Sequence, residues 1–124
     1  MEKMRTLLLA GILSAMSLFA FDAVTDAAKK KVADGKYEDA IADLDAAYKK
    51  NPKSAEVKKA LAGAHFAQGN TLMNNAQMPP MRKYPASLRS FRKTLEFDPN
   101  HVEAKANIKM IEDIYKSMGR PVPQ

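Results

Sequence analysis

The sequence predicts an all-α domain, and three observations carry that expectation. Apolar residues recur at steps of three and four, and no stretch alternates apolar with polar long enough to make a strand. Glycines and Asx-Pro pairs punctuate the apolar stripes at intervals that suit helices. A chain of 124 residues supports one small domain and leaves no room for a second.

The elements follow in order. Lys3 and Arg5 open the chain, and the 16 residues from Thr6 to Phe21 carry no charge. A membrane-spanning helix needs about 20 apolar residues, and Asp22 follows this run directly. Residues 1–20 therefore read as a secretory signal peptide with the small Ala20 at the cut. A cut after Ser17, an uncleaved membrane anchor and a buried first helix are the alternatives. The remaining domain, 21–124, is then expected to be periplasmic or secreted.

Beyond the signal, Val24, Ala27, Ala28, Lys31 and Val32 form one stripe that Gly35 interrupts. Tyr37, Ile41, Leu44 and Tyr48 form the next, ended by Asn51-Pro52. Ser54 is placed to cap a third helix, with Val57, Leu61, Ala64 and Gln68 or His65 along its face, and Thr71-Leu72-Met73 extends that stripe past Gly69. The prolines of Met78-Pro79-Pro80-Met81 predict a loop. A fourth helix is expected from about Pro85 to Glu96 with Leu88, Phe91 and Leu95 inward, ended by Asp98-Pro99-Asn100. The fifth carries Ala104, Ile108, Ile111 and Tyr115 until Gly119 and Pro121.

Two segments echo each other. Tyr37 falls on Tyr84, Ala40 on Ser87, Ile41 on Leu88, Leu44 on Phe91, Tyr48 on Leu95 and Pro52 on Pro99. A small residue, a bulky residue four later and a terminal proline resemble the tetratricopeptide repeat, a helix-turn-helix unit of about 34 residues. Pro52 and Pro99 lie 47 residues apart, about 13 more than that period. The resemblance thus implies antiparallel helix-turn-helix repeats: about two units plus a C-terminal capping helix, the second unit with an insertion between its helices. In this alignment Gly69 matches Gly35. The insertion, Asn70 to Lys83, reads either as a tolerated surface segment or as a Met-rich basic finger that touches a partner.

Composition and motifs argue against catalysis. Cysteine is absent, which removes disulfides, thiol nucleophiles and thiolate metal sites. Of the two histidines, His65 reads as a packed residue and His101 as a cap or surface residue. No phosphate-cradling glycine loop or metal-ligand spacing occurs, so no cofactor, metal or small-molecule substrate is expected. Asp34, Glu38, Asp39, Asp43 and Asp45 fit a solvated helix face.

The net charge is +6. Nucleic acid is not expected, because an exported chain rarely meets it. A non-catalytic scaffold for a protein or peptide segment is the expected function. By the resemblance, the first helix of each unit lines a concave groove, here through Thr25, Lys29, Glu56, Lys59, Phe66 and Met110, with the lysines set for acidic side chains or a terminal carboxylate. The alternative is an anionic polymer or lipid surface held by Arg82, Lys83, Arg89, Arg92 and Lys93. The contrast between these bases and the acids of 34–45 also allows self-association.

Overall fold

The computed structural model describes residues 22–124, so the signal-peptide expectation lies outside the described residues. Helix α1 occupies residues 22–33. It is followed by α2 (Tyr37–Lys50), α3 (Ala55–Met73), α4 (Pro80–Phe97) and α5 (Val102–Ser117). No strand occurs among the described residues. Short connections make neighbours antiparallel, and α2 packs on α3, α3 on α4 and α4 on α5, with the α3–α4 pair the most extensive.

The helix ends follow from their residues. Gly35 (φ 77°) and Gly119 (φ 64°) both adopt the left-handed conformation that glycine tolerates. Each closes the same double turn: Gly35 N–H to Val32 O and Lys36 N–H to Lys31 O after α1, Gly119 N–H to Lys116 O and Arg120 N–H to Tyr115 O after α5. The Ser54 hydroxyl accepts from Val57 N–H at 3.3 Å, and His101 Nδ1 accepts from Ala104 N–H at 3.2 Å. Both residues are N-caps: Ser54 as expected, and His101 in the first of its two readings.

The fourth helix departs from expectation. It starts at Pro80, not near Pro85, and runs 18 residues. Pro79 is the N-cap in extended conformation and Pro80 the first helical residue, where a missing N–H costs nothing. The Pro79 carbonyl then accepts from Arg82 and Lys83 N–H at 2.9 and 3.0 Å. Pro85 lies inside the helix and forfeits only the bond to the carbonyl of the exposed Met81. The extra residues of the second unit are thus absorbed mainly by longer helices, α3 having 19 residues and α4 18 against the 14 of its counterpart α2. Only residues 74–79 remain as connection.

Two apolar clusters share the middle of the molecule. The first joins Ala28, Ala40, Leu44, Ala47, Val57, Leu61 and Ala64. Its alanines let the helices approach closely. The second joins Leu88, Phe91, Ala104, Ile111 and Tyr115, with Phe66 and Val122 at its margin. Ala40 and Ser87 are both fully buried, as are Leu44 and Phe91, so the repeated positions do the same packing work. Phe97 ties α4 back to the first cluster, edge-on to Tyr48 with centroids 5.4 Å apart.

Gly69 is not the counterpart of Gly35. It lies inside α3, about one turn before its end, where a Cβ would come within 2.7 Å of Phe91 Cε1. Its role is to admit that ring.

Candidate functional site

α1 and α3 form the walls of a cleft of about 330 Å³. Residues one and two turns apart on a helix share a face, and here that geometry brings Lys29 of α1 together with Glu56 and Lys59 of α3 at the rim. Ala28, Val32 and Leu44 form one side of the floor, and Ala60, Gly63 and Ala64 the other. Lys29, Glu56 and Lys59 are exposed, and among the described residues neither lysine is held in an ion pair. The site combines two available ammonium groups, one carboxylate and a narrow apolar floor. The ammonium groups can pair with anionic groups, and the floor offers apolar contact beside them.

The other three expected groove residues lie elsewhere. Thr25 is buried, its hydroxyl donating to Asp22 O at 3.0 Å, because it stands one turn before Ala28 on the packed stripe. Phe66 packs against Phe91 and His101, with centroids 5.7 and 4.5 Å away. It lies on the Ala62–Gly69 side of α3, which faces α4 and α5. Met110 is exposed on α5 above a separate shallow depression with Ala106 and Ile114. The floor residues Ala60, Gly63 and Ala64 were not anticipated, although small residues at i, i+3 and i+4 are a legible sign of a recessed helix face.

The basic residues of α4 divide. Arg82, Arg89 and Lys93 are exposed and share one stripe. Arg92 instead donates to Pro123 O at 2.9 Å, and Lys83 lies over the Tyr84 ring at 5.5 Å. On the opposite end of the molecule, Asp43 pairs with Lys31 across α1 and α2, and the bond that the Lys31 ammonium donates to the Asp43 carboxylate raises the Lys31 pKa. His65 is half-buried and stacked on Phe97, with centroids 6.0 Å apart. Burial pushes its pKa below the usual imidazole value. Among the described residues, no cluster of three or more His, Cys, Asp or Glu could hold a metal ion, and no helix is long and apolar enough to cross a membrane.

Antiparallel helices stacked through small residues, with an open cleft between successive first helices, define a helical-repeat scaffold. Residues 31–71, the end of α1 through most of α3, match the family model described as tetratricopeptide repeat. That stretch, about a third of the chain, is similar to a tetratricopeptide repeat. Comparison with curated proteins and with solved structures finds no match.

Proposed function

We propose that this protein is a non-catalytic interaction module that holds a protein or peptide segment between α1 and α3. Tetratricopeptide repeats generally mediate protein–protein interactions. The convergence of Lys29, Lys59 and Glu56 over a small apolar floor carries the reading for this chain. The two lysines attract acidic side chains or a terminal carboxylate, and the floor receives the intervening apolar groups. Single exposed charges contribute little, so the test is a double reversal, Lys29→Glu with Lys59→Glu. Cross-linked partners captured by the unaltered protein should be lost by this variant while its circular dichroism stays helical. Capture that survives the lysine reversal, or that is lost only on reversing Arg89 and Lys93, overturns the assignment.

The proposal extends to location. The basic start, the uncharged run from Thr6 and Ala20 support export to the cell envelope or beyond. N-terminal sequencing of the native protein should begin near Phe21. An intact Met1 in a soluble cytoplasmic fraction refutes export.

A further inference from the structure

A second cleft, of about 250 Å³, opens between α3 and α4 on a different face of α3 from the Lys29–Lys59 groove. Its α3 wall is His65, Gln68 and Leu72; its α4 wall presents Ala86, Arg89 and Lys93. Arg89 and Lys93 stand one helical turn apart on the exposed stripe, so both cationic heads reach the same opening. Arg89 has no ion-pair partner among the described residues, and Lys93 has only the exposed Glu96, at 3.0 Å. Such an i,i+3 surface pair is weak and readily exchanged.

The neutral groups point the same way. Ser90, itself buried, donates its hydroxyl to Gln68 Oε1 at 3.3 Å. That contact occupies the acceptor end of the amide and leaves its N–H donors for a ligand. Leu72 and Ala86 supply an apolar shoulder beside the charged groups.

We propose that this cleft is an oxyanion site that takes the carboxylate of an acidic side chain on a protein partner. Arg89 provides planar paired donors, Lys93 a second charge, Gln68 a neutral donor, and Leu72 with Ala86 the contact for the methylenes of a glutamate. The inference is independent of the groove assignment, since none of these residues lines the Lys29–Lys59 cleft.

The test is a titration of the ¹⁵N-labelled protein at low salt with the peptide acetyl-Gly-Glu-Gly-amide, followed by amide and imidazole shifts. Saturable changes are expected at residues 86–93, Gln68 and His65, with a Kd on the order of millimolar, the range for a single small contact. The variant Arg89→Gln with Lys93→Gln should bind at least about tenfold more weakly, whereas Lys105→Gln with Lys116→Gln, both exposed and lining neither cleft, should bind as before. The same peptide with Gln in place of Glu should give no saturable change. Linear, non-saturating shifts, or unchanged binding by the Arg89/Lys93 variant, overturn the site. Inorganic phosphate, titrated separately, should bind more weakly than the peptide; tighter binding overturns the carboxylate assignment.

Discussion

Two glycines of α3 offer a matched pair of perturbations. Gly63 and Gly69 both lie inside the helix, so alanine at either gains about 1 kcal/mol of helix propensity. At Gly63 the new methyl meets nothing within 4 Å. At Gly69 it would sit 2.7, 2.9 and 3.1 Å from three atoms of the Phe91 ring, against an ordinary carbon contact of about 3.5–4.0 Å. Phe91 is fully buried and held by Phe66, so the ring has nowhere to turn and α3 and α4 must part. Overpacking of this kind costs about 1–3 kcal/mol. Gly63→Ala should therefore stabilise by about 0.5–1 kcal/mol, and Gly69→Ala should lie roughly 1–3 kcal/mol below it. Denaturant unfolding followed by circular dichroism at constant slope measures the gap, and thermal midpoints should separate by about 4–8 °C per kcal/mol. Adding Phe91→Leu to Gly69→Ala should cost less than Phe91→Leu alone, since the shorter side chain relieves the contact. If Gly69→Ala is as stabilising as Gly63→Ala, the packing of Phe91 over Gly69 is wrong.

Three further outcomes follow from the packing. Ala40→Leu should cost about 1–3 kcal/mol because Ala40 is fully enclosed, while Asp43→Ala, which breaks an exposed ion pair, should leave the unfolding midpoint nearly unchanged. Ser54→Ala should cost about 1 kcal/mol through loss of the bond from Val57 N–H, and Ser54→Asp should recover most of it. The folded-state pKa of His65 lies below its ordinary value because burial disfavours the imidazolium. Between that depressed value and the unfolded value near 6.5 the unfolded chain binds more protons. Stability should thus fall on acidification from about pH 6.5 downward, and a flat profile for wild type, or the same slope in His65→Gln, refutes the assignment to His65.

What the sequence made legible was the periodic part of the fold. The stripes of α2 and α5, the caps at Ser54 and His101 and the glycine turns after α1 and α5 all depend on neighbours within one turn. The start of α4 was hidden because proline is read as a breaker, yet at N1 its lost donor is one that no helix would use. Groove membership was harder. Lys29, Glu56 and Lys59 converge, but Thr25 and Phe66 sit one turn along from buried residues, so a small rotation of each helix decides whether they face the cleft or the core. The cleft between α3 and α4 was illegible for a related reason: His65, Gln68, Arg89 and Lys93 come from two helices whose relative rotation depends on Phe91 seating against Gly69.

The alanine content of the first cluster has a further consequence. Four of its seven buried members are alanines, and each removes less apolar surface from water than the leucines and phenylalanine deeper in the molecule. Helix α1, at one end of the stack, should therefore open locally ahead of global unfolding, and its amide protons should exchange with solvent sooner than those of α3 and α4. A segment lying across Lys29 and Lys59 would clamp α1 to α3, adding to that opening cost by mass action. At a hundred times its Kd, such a ligand should slow α1 exchange by about a hundredfold. Hydrogen exchange along α1 would then act as a gauge of occupancy, with the terminal helix gripping the chain only as firmly as the groove is filled.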